Sequence, residues 1–482
     1  MTSSSTVPPL ATLTNLTTES RLIPSPWARM VRGIGLGQHS AGYEPAAAAH
    51  IRGAFAQLTA KVDGEDPYTG FCALLSELIL RATESGDVEE VLPSVLQSVG
   101  RQDNPYLRLM AGSILMDAFA KLGLATSLLV NDHRDFPAEM LASLELVRPD
   151  RIDDENRGHH GDYERVCASA ALFLSIGQLG FTDRLVAGPR NYIRESLALL
   201  ENIPSPFYRG RGGALLFTVI GILGHAPLAH AGDRDYITET LDQLDRFDEL
   251  EKPLFPQPMT VASAKVYPLL TMLNAIAACG TAEHLTRSRD RIAEADSLMA
   301  QLTTPELCHM SLYYITARAN LGRPVENLDV FLTERVRRCE QDVDPGADFF
   351  LNGISFPYIF ETTTILGRDD LISDEMIDRF LRCFPDLGRN RADRIHRTFP
   401  LSYGINALAG MGRATLMFEP SQHYAGSSPL AWVVGQFSEG AQDEAGRLAL
   451  VNHALVDYAL RQRGPGRDES SLFKGFHFPL AG

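Results

Sequence analysis

The chain has 482 residues and a formal net charge of −16, with 44 Lys and Arg against 60 Asp and Glu. That balance argues against nucleic acid or an anionic membrane surface as the main partner, because both require clustered Lys and Arg. With 45% hydrophobic and 22% charged residues a large core can form, so disorder is not the default, and the length calls for two lobes or an extended array.

Residues 1–45 are rich in Ser, Thr, Pro and Gly and predict an extended arm, docked on the body by Trp27. A helical lobe follows over 46–150. The polar segment Asp150 to Asp162 separates it from a main helical domain over 151–482. From residue 67 a pattern recurs. A polar residue and a proline open a helix at Asp66-Pro67, Asn104-Pro105, Ser205-Pro206, Gln257-Pro258, Thr304-Pro305, Asp344-Pro345 and Ser428-Pro429. Proline suits the first helical position, where its missing N–H would have no partner and its ring pre-sets φ. Starts near Asp162 and Asn390 lack the proline. Each first helix is apolar and aromatic and stops at a glycine: Gly86, Gly123, Gly180, Gly232, Gly280, Gly322, Gly367 and Gly412.

More charged, amphipathic helices return over Asp233 to Phe247, Ala282 to Leu302, Asn327 to Cys339 and Ser373 to Phe384. Strand signals are nearly absent. The fold class is therefore all-α: tandem antiparallel helical hairpins forming an (α/α) barrel, or toroid, with an open α-solenoid as the alternative. The aromatics favour the barrel, because Tyr267, Tyr313, Tyr314, Phe349, Phe350, Phe356, Tyr358 and Trp432 lie on first helices and would line a shared apolar cavity.

The apolar runs, such as Ala214 to Leu223, are too short and glycine-interrupted to cross a bilayer, and no secretory pattern opens the chain. Six cysteines form no CxxC pair, as expected of buried thiols in a reducing cytoplasm.

Chemistry concentrates in Asp342-Val343-Asp344-Pro345-Gly346-Ala347-Asp348, which leads into Phe349 and Phe350. Crowded carboxylates raise one another's pKa, so Asp344, tuned by Asp342 or Asp348, is the candidate general acid. The structural alternative is helix capping by Asp344. Against the acidic background, Arg389, Arg391 and Arg394, with His396 and Arg397, form a cationic cluster. Together with Arg209 and Arg211 it can hold an anionic substrate head. Weaker acidic groups include Asp153-Asp154-Glu155 with His159-His160, and Asp369-Asp370 with Asp374-Glu375. Asn131, Asp135 and Glu139 have magnesium-triad spacing, but Pro137 interrupts it. Magnesium is the only cofactor these spacings suggest. The expectation is that none is needed, and no metal ligand is assigned. Nucleophile-elbow, P-loop and zinc-protease motifs are missing.

The hairpin pattern, the aromatic first helices and Asp342-Val343-Asp344 before an inner helix together resemble the terpenoid cyclases that protonate their substrate. The sequence departs from that family where Pro345 takes the last position of its DxDD motif, and the repeated Gln-Trp motifs are missing. The resemblance implies carbocation cyclisation of an apolar, isoprenoid-like substrate, with an aspartic acid as proton donor and aromatic faces stabilising positive charge. A homo-oligomer is compatible with it. The alternative is a non-enzymatic helical-repeat scaffold or regulator binding a peptide or protein partner.

Overall fold

The computed structural model describes residues 67–84, 87–147, 161–231, 234–250, 260–347 and 351–383, position 56, and scattered positions between 404 and 432. These residues are predominantly helical, as composition and periodicity require. They form hairpin units in chain order: α1 (Pro67–Glu84) with α2 (Leu92–Gly100), α3 (Pro105–Leu122) with α4 (Phe136–Ser143), and α5 (Gly161–Gln178) with α6 (Tyr192–Ala198). Next come α7 (Pro206–Ile222) with α8 (Tyr236–Asp245) and the short α9 (Phe247–Leu250), then α10 (Val261–Cys279) with α11 (Arg291–Met299). α12 (Thr304–Asn320) with α13 (Leu328–Asp342), and α14 (Asn352–Ile365) with α15 (Asp374–Arg382), complete the described series.

The long first helices stand side by side. α1 packs on α3, α3 on α5, and so on to α14, and among the described residues substantial packing within this row runs between consecutive members. α7 is buried on nearly all sides, which its apolar circumference demands. The return helices bury one stripe each, Leu332, Val336 and Cys339 on α13, or Met376, Ile377 and Phe380 on α15. One hydrophobic core runs from Phe71 to Tyr424, and α3 packs on α5 across the 148–160 interval. α10 is long and apolar enough by composition to cross a membrane, but most of it is buried between neighbouring helices.

The helix starts follow the capping logic. Asn104 accepts the amides of Tyr106 and Leu107 ahead of Pro105, and Ser205 accepts that of Tyr208. The buried Glu306 completes a capping box with Thr303 and also accepts the Thr260 amide at 2.7 Å, tying the start of α10 to that of α12. Left-handed glycines close the long helices at Gly123, Gly180, Gly280, Gly322 and Gly367.

Three boundaries differ from expectation. α7 stops at Gly224 (φ 81°) rather than Gly232, because Gly224 follows the last helical turn directly. The charged stretch after Gly280 begins with a 3₁₀ turn, Ala282–Leu285, and becomes helical only once Asp290 caps it. α14 begins at Asn352, and Pro345 sits in a turn instead. The arm with Trp27, Pro258, Gly86, Gly232 and Gly412 lie outside the described residues.

A recurrent device starts the return helices. Arg134, Arg190 and Arg234 each lie over an aromatic ring two residues on (Phe136, Tyr192 and Tyr236), and each binds a glutamate five residues on (Glu139, Glu195 and Glu239). Arg289 binds Glu294 in the same way. The residue after each arginine (Asp135, Asn191, Asp235 or Asp290) caps the helix. Two of these starts are preceded by two-residue antiparallel hairpins, β1 (Val130–Asn131) with β2 (Arg134–Asp135), and β3 (His230–Ala231) with β4 (Arg234–Asp235).

Acids at the return-helix starts also reach a cation in the following turn: Asp135 to Arg184, Asp290 to Arg323, Asp329 to Arg368 and Asp374 to Arg413. The supposed magnesium triad of Asn131, Asp135 and Glu139 is thus divided between a hairpin, a helix cap and an arginine clamp.

Candidate functional site

Residues two apart on a helix point about 200° from each other. Arg209 and Arg211 on α7 therefore part company. Arg209 turns to the return helix α8, where a terminal nitrogen stands 3.5 Å from Glu239. Arg211 turns to the row of long helices. Its guanidinium lies 5.3 Å from the Phe207 ring centre and 5.0 Å from that of Tyr267.

Those rings belong to a belt. Tyr163 of α5 meets Tyr208 of α7 with centroids 4.9 Å apart, and Tyr208 meets Phe207 at 5.4 Å. Phe207 meets Tyr267 of α10 at 6.1 Å, and Tyr267 meets Tyr313 of α12 at 5.1 Å with their hydroxyls 3.2 Å apart. His309 of α12 stacks on Tyr358 of α14 at 4.5 Å. Five consecutive long helices thus contribute an aromatic or imidazole ring, most of them from the N-terminal half of the helix.

The electrostatics of the belt are one-sided. Burial holds the Tyr163 and Tyr313 hydroxyls well above the usual phenol range, so they are neutral donors. Burial works against the Arg211 charge, and Tyr163, Tyr267, Cys167 and Tyr313 favour it only in their ionised forms; the net upward direction therefore belongs to alkaline pH, and at neutral pH these groups leave the charge uncompensated. Burial also pushes the Cys167 thiol up to about 12. No carboxylate pairs with Arg211 among the described residues, whereas Arg209, Arg234, Arg289, Arg291 and Arg318 each have one. Cation–π contacts contribute roughly 0.5–2 kcal/mol each. Desolvating a guanidinium costs several kcal/mol. Arg211 is therefore a partly desolvated cation suited to an anion.

Of the residues expected to line a cavity, Tyr267, Tyr313 and Tyr358 come together in this belt. Tyr314, one residue past Tyr313, turns outward and donates to Asp296 of α11 at 2.9 Å. Phe356 packs between α14 and α15 against Phe360 and Phe380. Trp432 packs on Tyr424.

Asp342 and Asp344 are both exposed. Asp342 accepts from the Thr304 hydroxyl at 3.3 Å, and Asp344 accepts the Gly346 amide at 3.0 Å, so the latter closes a turn. Asp348, Phe349, Phe350, Arg389, Arg391 and Arg394 lie outside the described residues. The cluster at Asp369, Asp370 and Asp374 resolves into ion pairs, Arg368 with Asp370 and Arg413 with Asp374.

Two features were missed by the sequence reading. Tyr163 enters the belt from α5, where only its place near the start of a first helix could have flagged it. His230, Asp235 and His284 form a separate cluster at the turns that follow α7 and α10. A cleft between α8, α10 and α11 is lined by Asp245, Asp248, Lys265, Arg289, Arg291 and Glu294. Their charges satisfy one another, with Arg291 held by Asp245 at 2.5 Å and Lys265 by Asp248 at 2.6 Å. Comparison with protein-family models, curated proteins and solved structures returns no match.

Proposed function

We propose that the chain binds a small molecule with an apolar or aromatic body and an anionic head, and that Arg211 receives the head. The observation that carries this is the Arg211 guanidinium, set among aromatic rings without a carboxylate partner among the described residues. Neutral tyrosine hydroxyls add uncharged donors, and the faces of Tyr267, Phe207 and Tyr208 supply apolar contact. Isoprenoid diphosphates and carboxylates are the substrate class proposed first. Closure of the long helices into a toroid is the finer part of the proposal. An open array would present the same belt as a groove. The free thiols Cys167, Cys279, Cys308, Cys339 and Cys383 accord with a reducing, cytoplasmic setting.

Arg211 also bears on the reaction. A guanidinium beside these rings opposes a carbocation developing there, and favours a carboxylate, phosphate or enolate-type anion. Protonation by Asp344 draws no support from an exposed, turn-closing carboxylate. Chemistry on the anionic head is therefore proposed ahead of cyclisation.

The test is calorimetric titration of the full chain with prenyl diphosphates, prenyl alcohols and long-chain carboxylates, followed by incubation and gas chromatography. Binding of the anionic members, lost at least tenfold in Arg211→Met, is the expected result. Binding to none of them would overturn the proposal. Products that disappear in Asp344→Asn would restore protonation-initiated cyclisation.

A further inference from the structure

We propose that His230, Asp235 and His284 form a site for a divalent transition-metal ion of the zinc class, stapling the turn after α7 to the turn after α10. It is independent of the Arg211 belt. One nitrogen from each histidine and one Asp235 oxygen lie within 4.8 Å of one another. His284 Nε2 is 3.2 Å and His230 Nδ1 is 3.4 Å from the same oxygen, Asp235 Oδ1. Around zinc, with bonds of about 2.0–2.2 Å, tetrahedral ligand atoms stand roughly 3.3 Å apart. Two imidazoles and one carboxylate suit zinc, cobalt or nickel better than magnesium or calcium.

The hydrogen bonding of His284 points the same way. Its side chain is only 2% exposed, and Nδ1 faces the Thr281 carbonyl at 3.0 Å. If Nδ1 carries the proton that this carbonyl accepts, Nε2 of a neutral ring turns its lone pair on a carboxylate oxygen. A backbone carbonyl orienting the far nitrogen is the usual outer support of a metal-bound imidazole. The His230 ring stacks on His284 with centroids 5.1 Å apart, so one ion would be shared by both rings and the carboxylate.

The internal repeat supplies the comparison. Val130, Asp135 and Arg184 occupy the corresponding places one pair of units earlier. Val130 pairs with Asp135 across β1–β2 as His230 pairs with Asp235 across β3–β4. There an arginine alone neutralises the capping acid. At Asp235 an arginine is also present, Arg287, whose NH1 sits 2.9 Å from Oδ2, so both histidines exceed what the clamp requires. Arg287 is 60% exposed, and its NH1 also donates to the Thr238 hydroxyl at 2.6 Å, a contact that does not depend on Asp235. Thr238 keeps its own bonds to Asp235, from its amide at 2.9 Å and its hydroxyl at 2.6 Å. Three protein ligands leave one position for water.

The test uses the full chain, stripped with chelator and titrated with Zn²⁺ by calorimetry and with Co²⁺ by visible absorption. The expected result is one ion bound per chain with micromolar or tighter affinity, and the intense d–d bands of a tetrahedral cobalt site. The double variant His230→Val with His284→Arg rebuilds the earlier repeat, so it should keep the circular dichroism and melting of the stripped wild type while binding falls about 100-fold. His230→Val alone should weaken binding at least tenfold. Absence of stoichiometric binding in the wild type, or unchanged binding in the double variant, would overturn the proposal. The Arg211→Met variant should bind Zn²⁺ normally, which separates failure here from failure of the ligand proposal.

Discussion

Arg211 is where stability and function pull in opposite directions. A desolvated cation with no carboxylate partner among the described residues destabilises the folded chain, so Arg211→Met should raise the midpoint of chemical unfolding by about 1–3 kcal/mol equivalents while abolishing anion binding. Loss of stability in that variant would mean the guanidinium is a structural tie. The buried weak acids beside it set an alkaline limit. The Cys167 thiol is pushed by burial up to about 12, and Tyr163 and Tyr313 are raised as well. A thiol or phenol whose folded pKa lies above its unfolded value contributes stability that is complete below the unfolded pKa and lost as pH rises through the folded one. Stability should therefore fall from about pH 9 towards 12, and Cys167→Ala should flatten part of that decline, measured by urea unfolding across the range. Arg209 and Arg211 were both legible as candidate anion ligands. Their opposite roles were legible too, in the rotation of two residues along one helix.

Among the elements, the long helices depend on close backbone approach. A Cβ on Gly221 of α7 would stand 2.6 Å from the Ala278 carbonyl oxygen of α10, and backbone cannot step aside as a side chain can. Gly221→Ala should cost roughly 2–4 kcal/mol, read as a lowered unfolding midpoint, whereas Gly100→Ala, with open space around it, should cost little. The return helices depend on their starts. Asp135→Ala removes both a cap and the acceptor of Arg184 and should cost about 1–2 kcal/mol.

Helix starts at Pro67, Pro105 and Pro206 could be read directly because proline at the first position carries its own mechanism. Pro345 carries the same signal yet lies in a turn, since Asp344 closes that turn through the Gly346 amide. The repeated arginine–cap–glutamate clamp was present in the sequence at Arg134, Arg190, Arg234 and Arg289. Apolar periodicity does not reveal it, because its recurring spacing is polar.

At the largest scale the described residues form one row of apolar helices that carries the core, and one-faced return helices with their ion-paired turns shield it. All-α architecture and the hairpin order followed from composition and periodicity alone. The direction in which an aromatic points did not follow from composition. Tyr313 and Tyr314 are neighbours in sequence, yet one enters the belt and the other binds Asp296 on a return helix. Asp344 could not be placed from the sequence either, because a capping carboxylate and a catalytic one look alike until their solvent exposure is known.

The central claim is that Arg211 recognises a ligand's anionic head within the tyrosine belt. The most direct measurement compares two ligands of one body, a prenyl carboxylate and the matching prenyl alcohol, on wild type and on Arg211→Met by calorimetry. The wild type should prefer the carboxylate by at least about tenfold, some 1.4 kcal/mol, and the variant should show no preference. Equal binding of acid and alcohol by the wild type, or an unchanged preference in the variant, would contradict it.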